Sequence, residues 1–424
     1  MRIAMFTNVF PPHVGGVAHS VQRFTEGIRE RGHRVLVVAP EYKGRPRDEE
    51  DVVRLPAIQN MTDMKVAFPL PLRDAVERAM EEVEPQVIHS HHPYMLGSMA
   101  LRVAAQHLIP LVFTYHTRYE YYAHYVHPDS SAVQEFAARL GTGYCELADQ
   151  VITPGESIRQ LLQDRGVGTP IEPIPTGVDL EEYADGDGPA ARDSFDIPRD
   201  AFLCGIVSRL APEKNVSFLC RAVARYLARD EAAHFLVVGY GASTEAMKEI
   251  LTERGVADRC CFAGKTTGQD LVNAYHAMDA FVFASKTETQ GMVLVEALAA
   301  GCPVVALDAP GSREVVQDGE NGRLIKEEDE EAFAEGLAWV AGQGGSLREP
   351  ARASARPFSV DRCVERLLSL YERVIENGPD GPAGSGGTWD SLFRELQRDW
   401  DIWSNQVSAL FDALNRADGA GRDD

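Results

Sequence analysis

Short apolar runs alternate along this chain with longer stretches in which apolar residues recur every three or four positions. In the first half the runs fall at 2–7, 34–40, 86–89, 111–115, 150–153 and 171–174. In the second half they fall at 201–207, 234–239, 260–263, 280–284, 303–307 and 322–325. Each has the length of a strand. Between the first two runs, Val17, Val21, Phe24 and Ile28 sit at helical spacing, and Gly32 marks the stop. Strands alternating with helices predict parallel sheets covered on both faces, and two such sets predict two Rossmann-like domains. The join falls at 181–199, a polar stretch rich in Gly and Asp that reads as a linker. Ligands in open α/β sheets bind beyond the C-terminal strand ends, so two facing domains predict a cleft between them.

The resulting division is a first domain over 1–180, the linker 181–199, a second domain over 200–356 and a helix over 357–376. That helix carries Val364, Leu367, Leu368, Tyr371 and Ile375 on one face and is expected to cross back to the first domain. Residues 377–388 are rich in Gly, Pro and Ser and read as a flexible linker. In 389–424 Trp389, Leu392, Leu396, Trp400, Trp403, Val407, Leu410 and Leu414 repeat at helical spacing ahead of an acidic end. Docking on the protein's own surface is the plain reading of this helix. An oligomer contact or a membrane-surface helix is the alternative, and its acids count against the membrane.

The length of 424 residues, with 44% hydrophobic, suits two globular domains and a tail. No apolar stretch is long enough to span a bilayer, and the first residues run into a glycine loop without the features of a signal peptide. A cytoplasmic protein is expected. The seven cysteines are scattered, with no CxxC pair, and read as buried free thiols. A net charge of −22 argues against nucleic acid as a partner. Only 7 lysines stand against 35 arginines. A salt-rich cytosol and a genomic base bias account for this equally well.

The candidate chemistry centres on Glu288-Thr-Gln-Gly-Met-Val-Leu-Val-Glu296, which places two carboxylates around a glycine turn between a strand and a helix. Free N–H groups at Gly291, Met292 and Val293 suit a phosphate, with Glu288 and Glu296 holding hydroxyls on either side. A nucleotide sugar has that shape; a solvated Glu on a helix face is the bland alternative. Gly15-Gly16 lets backbone approach a ligand at another helix start, although it is no G-x-G-x-x-G fingerprint. Arg209 and Lys214 follow the first strand of the second domain and suit a diphosphate clamp. No compelling Asp/His metal motif accompanies them, so no metal is expected. His116 ends a strand at the cleft side. Tyr119, Tyr121, Tyr122 and Tyr125 follow, either as a surface for an acceptor or as core packing.

Taken together, these residues resemble the retaining glycosyltransferases of family 4, which have the GT-B fold. The resemblance rests on Gly15-Gly16-Val17, His116, Pro175-Thr-Gly177-Val-Asp179, Arg209 with Lys214, and the Glu288 to Glu296 element. It covers about residues 1–376. It implies that Gly16 approaches the donor diphosphate, that Arg209 and Lys214 hold it, and that Glu288 contacts the donor sugar. The backbone from Gly291 through Met292 and Val293 to Leu294 would lie on the phosphate side, Glu296 on the ribose, and His116 by the reacting centre. Catalytic roles then fall to His116, Arg209, Lys214 and Glu288, with Tyr119 and Tyr122 on the acceptor side. No covalent nucleophile is implied.

Within that family, His89-Ser-His-His-Pro93 and Thr114-Tyr-His-Thr-Arg-Tyr-Glu-Tyr-Tyr are similar to bacterial 1,2-diacylglycerol 3-glucosyltransferases. This implies UDP-glucose as donor, a lipid acceptor and peripheral contact with the inner membrane face. One region departs from the resemblance. Over 61–83, Lys65, Arg73 and Arg78 stand against Asp63, Asp74, Glu77, Glu81 and Glu82. Attraction to anionic lipid is therefore weak there, leaving Phe68, Leu70 and Leu72 as apolar contacts. A soluble acceptor, such as a sugar phosphate or compatible solute, and a GDP-mannose donor remain alternatives. A GT-B epimerase or phosphorylase, or a non-catalytic sugar-nucleotide binder, is a more distant one.

Overall fold

The computed structural model describes residues 1–45, 49–58, 68–69, 73–121 and 131–378. Tyr122, Tyr125, Leu70, Leu72 and the tail helix expected within 389–424 lie outside the described residues.

The first domain is built on strands β1 (Arg2–Phe6), β2 (Arg34–Pro40), β3 (Val52–Leu55), a small antiparallel pair β4 (Ala57–Ile58) and β5 (Phe68–Pro69), then β6 (Val87–Ser90), β7 (Leu111–Thr114), β8 (Gln150–Thr153) and β9 (Ile171–Pro173). Seven of these form a parallel sheet in the order β3-β2-β1-β6-β7-β8-β9. The second domain carries β10 (Leu203–Val207), β11 (His234–Val238), β12 (Cys260–Gly264), β13 (Ala280–Phe283), β14 (Val304–Leu307) and β15 (Gly322–Ile325). They form a parallel sheet in the order β12-β11-β10-β13-β14-β15. Each anticipated apolar run forms one of these strands. β3 was not anticipated: it is a short edge strand, three of its four residues are half-exposed, and Arg54 interrupts its apolar character.

The helices used below are α1 (Gly16–Glu30), α2 (Arg73–Val83), α3 (Leu96–His107), α4 (Ser131–Cys145), α5 (Glu156–Asp164), α6 (Gly188–Ser194), α7 (Val216–Leu227), α8 (Thr244–Glu253), α9 (Gln269–Ala277), α10 (Met292–Ala299), α11 (Glu330–Ala341), α12 (Arg348–Ala355) and α13 (Val360–Asn377). In the second sheet, successive residues feed two separate cores. Cys204, Ile206, Phe235 and Val237 pack against α7, α8 and α11. Leu203, Leu236, Val238 and Phe281 pack against α9, α10 and α12. That alternation follows from the period of two along a strand, and burial of both faces explains the unbroken apolar runs.

The segment 181–199, expected as a linker, contains α6. Asp187 caps it by accepting from Ala190 N at 2.9 Å, and a proline stands in its first turn. Its Arg192 is buried and donates to Ala277 O at 2.9 Å and Ala201 O at 2.6 Å. These bonds fasten α6 to the second domain.

Helix α13 packs in the core of the first domain, with Val364, Leu367 and Tyr371 in the same cluster as Ile3, Met5, Phe24 and Ile28. Its start braces the turn at Gly177. Val178 N donates to Phe358 O at 2.8 Å, and Val360 N to Val178 O at 3.1 Å. A Cβ on Gly177 would lie 2.4 Å from Val360 Cα, a backbone atom that cannot swing aside. We expect Gly177→Ala to cost about 1–3 kcal/mol and to lower the melting temperature by several degrees. A thermal melt unchanged from wild type would contradict this packing.

Candidate active site

Both sheets reverse their strand order once, between β1 and β6 in the first and between β10 and β13 in the second. Loops leaving adjacent strands part at such a point and open a crevice. The residues singled out from sequence follow these strands or their neighbours: Gly16 after β1, His116 after β7, Arg209 and Lys214 after β10, and Glu288 after β13.

Two helix starts face each other here. Gly15 leads into α1 with extended backbone, no side chain caps it, and its first turn holds no acid. Gly291 leads into α10 in the left-handed region, at φ 69°, also without a side-chain cap or first-turn acid. A Cβ on Gly16 would come 3.8 Å from Met292 Cε, so the two ends are close across the domains. Uncapped N–H groups and the positive ends of two helix dipoles favour an anion between them. Leu294 contributes differently: its side chain is fully buried and its N–H donates to Gly291 O at 2.9 Å. Of the four amides expected at this turn, that of Leu294 is therefore spent within it.

Lys214 ends a single 3-10 turn, Pro212–Lys214, and its ammonium pairs with the Glu288 carboxylate. Both side chains are about four-fifths buried, at 18% and 21% exposure. The pair ties the loop after β10 to the loop after β13. Arg209 is half-exposed and pairs with the buried Glu213. The four groups form two ion pairs, and the Lys214–Glu288 pair joins the loop after β10 to the loop after β13.

Glu296 lies in the second turn of α10 and is 9% exposed. Tyr275 Oη donates to its Oε2 at 2.9 Å. Burial raises its pKa, an effect opposed by nearby Arg23 and by the Tyr275 hydrogen bond and reinforced by Glu182. Arg23, on α1 of the first domain, also donates to Gly177 O at 2.9 Å. This carboxyl is therefore held in a buried pocket, unlike a solvated Glu on a helix face.

The turn between Glu288 and Gly291 is fastened to the first domain. Thr289 Oγ1 donates to His116 O at 2.7 Å. Gln290 Nε2 donates to Thr176 O at 2.6 Å, and Thr176 N donates to Gln290 Oε1 at 2.7 Å. Thr176 Oγ1 donates in turn to Ser20 Oγ of α1 at 2.7 Å. These bonds register α10 against α1 and His116.

His116 Nε2 lies 2.9 Å from His91 Nδ1. The His91 ring lies over His89, with centroids 4.1 Å apart. His89 bonds Tyr371 Oη at 2.6 Å and Thr114 Oγ1 at 2.7 Å. Burial lowers the pKa of His89, His92 and His116 to about 3 and that of His91 well below its usual value. All four are therefore neutral at pH 7. Tyr119, expected beside the acceptor, packs edge-on against Tyr94 and Tyr115 with its hydroxyl buried. It is part of an aromatic stack rather than an open platform. Among the described residues, no group of three or more His, Cys, Asp or Glu side chains is placed to hold a metal ion.

Two family models match the chain in tandem, Glycosyltransferase Family 4 over residues 14–182 and Glycosyl transferases group 1 over residues 188–356. The chain belongs to the family 4 glycosyltransferases. It is 26% identical over 391 residues to the alpha-monoglucosyldiacylglycerol synthase of Acholeplasma laidlawii, covering 89% of this chain and 98% of that one. It is 31% identical over 390 residues to the GDP-mannose-dependent alpha-mannosyltransferase of Mycolicibacterium smegmatis, covering 88% and 98%. Among solved structures, sucrose-phosphate synthase from Thermosynechococcus elongatus superposes with a TM-score of 0.72 at 20% identity over 89% of this chain and 99% of that one. Anabaena HepE in complex with UDP gives 0.70 at 19% identity, covering 88% and 100%. These two likenesses establish the GT-B fold.

In this family 4 glycosyltransferase, reading the sequence missed the work of Thr289, Gln290 and His91. Gln290 sits inside the Glu288 to Glu296 element, yet its partner Thr176 is 114 residues away. His91 was visible only as one member of a motif.

The buried histidines give the glycosyltransferase a defined acid response. Above their ordinary pKa of 6.5, both folded and unfolded chains hold them neutral. Below it, the unfolded chain binds protons that the folded chain refuses until pH about 3, so stability falls as pH falls. Each fully buried histidine removes up to about 1.4 kcal/mol per pH unit. With surface charge screened by salt, the melting temperature should fall steadily from pH 6.5 to 5. A flat profile would show that these rings accept protons without unfolding.

Proposed function

We propose that this glycosyltransferase moves glucose from UDP-glucose to 1,2-diacylglycerol or a related lipid, retaining the anomeric configuration and using no metal ion. The observation that carries the reading is the facing pair of uncapped helix starts at Gly16 and Met292, with Lys214 and Glu288 paired after the neighbouring strands. A diphosphate between the helix starts receives backbone N–H groups, and Lys214 and Arg209 take up the charge that grows on it as it leaves. Glu288 and His116 then line the sugar, and Glu296 takes the ribose. The bond from the sugar C1 to the phosphate oxygen breaks while the acceptor oxygen bonds C1 on the same face. The acceptor proton passes to the departing phosphate oxygen.

Support for glucose and a glycerolipid comes from the glucosyldiacylglycerol synthase relative. A second reading, GDP-mannose as donor with a soluble acceptor, has its own support in the mannosyltransferase relative and the net charge of −22. The lipid reading also implies peripheral contact at the inner membrane face. No helix among the described residues is long and apolar enough to cross a membrane.

The test is a product screen by mass spectrometry, pairing UDP- and GDP-sugars with diacylglycerol vesicles and soluble sugar phosphates. Hexosyl-diacylglycerol from UDP-glucose supports the proposal, and transfer confined to a soluble acceptor overturns its lipid half. Turnover should be unchanged by excess chelator. Loss of activity that magnesium or manganese restores would contradict a clamp built of side chains.

A further inference from the structure

His91 contributes a group that the proposed chemistry does not itself use. Its ring is fully buried, and only one of its nitrogens is bonded. Nδ1 meets His116 Nε2 at 2.9 Å, while Nε2 has no hydrogen-bond partner among the described residues. One proton lies between the two rings, and it can belong to either. If it belonged to His116, His91 would carry its own proton on Nε2, a buried N–H with no acceptor. If it belongs to His91, the orphaned atom is a bare lone pair. Orphaned N–H groups are the rarer case in folded proteins, because an unmade donor bond forfeits its full desolvation cost. Burial keeps both rings neutral, so a doubly protonated bridge does not arise.

We propose that His91 is a positioning residue that donates Nδ1–H to His116 Nε2 and so fixes His116 as the tautomer carrying its proton on Nδ1. His116 then offers an N–H donor to the cleft. The residue keeps some solvent exposure, and Nδ1 has no hydrogen-bond partner among the described residues. A ring held this way donates to an oxygen of the donor sugar and takes no proton from the acceptor. The rest of the histidine ladder supports the arrangement. His89 spends both nitrogens on Tyr371 and Thr114, and its ring lies against His91. Among the described residues, the titratable groups acting on His91 are His89, His116 and His92. Through Tyr371, helix α13 therefore helps to hold a ring at the reacting centre.

The kinetic half of this inference rests on the proposed placement of His116 beside the sugar; the tautomer does not. The experiment is side-chain nitrogen NMR on the full chain labelled in histidine, without substrate, with His116 assigned by its loss in His116→Ala. The expected result is a protonated Nδ1 and a bare Nε2 in wild type. His91→Phe should move the proton to Nε2, and His91→Asn, whose amide N–H overlies Nδ1, should restore the original tautomer. With UDP-glucose and diacylglycerol, His91→Phe should lower kcat about tenfold, the worth of one hydrogen bond made in the transition state, and leave UDP affinity unchanged. His91→Asn should recover most of the rate.

A wild-type His116 protonated on Nε2 overturns the proposal, and this reading needs no His91 variant to fold. A fall in UDP affinity that matches the fall in kcat also overturns it, because that marks a general structural role. If no donor and acceptor pair turns over, the transfer reading fails while the tautomer measurement still decides this one.

Discussion

Replacing Lys214 by alanine should lower kcat at saturating donor by about 10²–10³-fold, the cost of removing one preorganised donor from a developing anion. The Lys214 side chain is mostly buried and paired with Glu288 across the mouth of the second sheet. Charge on the diphosphate increases as its bond to the sugar breaks, so a fixed cation there stabilises the transition state more than the bound donor. The loss should therefore appear in kcat more than in donor affinity. Lys214 could instead act only by holding Glu288. A double-mutant cycle separates the two: in a Glu288→Gln background the Lys214→Ala loss should persist at tenfold or more, by the charge argument above. A turnover number equal to wild type at saturating donor would remove Lys214 from the mechanism.

Glu296→Ala should raise the dissociation constant for UDP roughly 100-fold, equivalent to losing about 3 kcal/mol from two hydrogen bonds to a charged acceptor. The carboxyl is buried, and Tyr275 engages one of its oxygens, an arrangement that suits the proposed contact with the ribose diol. Its pKa lies above the ordinary carboxylate value because of burial. The ionised form accepts hydroxyl donors, so nucleotide affinity should weaken as pH falls toward that raised pKa. Tyr275→Phe removes the orienting hydroxyl and should weaken UDP binding by a smaller factor. Calorimetric titration of UDP measures all three effects, and near-wild-type affinity in Glu296→Ala would refute the ribose role.

Much of the architecture was legible because parallel strands buried on both faces leave unbroken apolar runs, as at Ala280–Phe283 and His234–Val238. The edge strand Val52–Leu55 has no such run. Helix α6 was hidden by the Gly, Asp and Pro content around Asp187, although Asp followed by Gly-Pro is a helix start in its own right. At the site, the sequence carried the residue types but not their partners. Lys214 and Glu288 are 74 positions apart, and no spacing rule joins them. Gln290 had no assigned role in the sequence, and its amide meets the backbone of Thr176. Tyr119 read equally as an acceptor surface or as core packing, and its contacts with Tyr94 and Tyr115 are of the packing kind. Long-range contacts decide these cases, and they arise only once two sheets fix the loops that leave them.

The central claim is retaining transfer of glucose from UDP-glucose to a glycerolipid. The most direct measurement is the proton NMR spectrum of the product made from UDP-glucose and 1,2-diacylglycerol vesicles, read at the anomeric centre before any chemical work-up. The account predicts a single glucosyl-diacylglycerol with the α configuration of the donor. A β-linked product, or release of UDP with the lipid left unglycosylated, would contradict it.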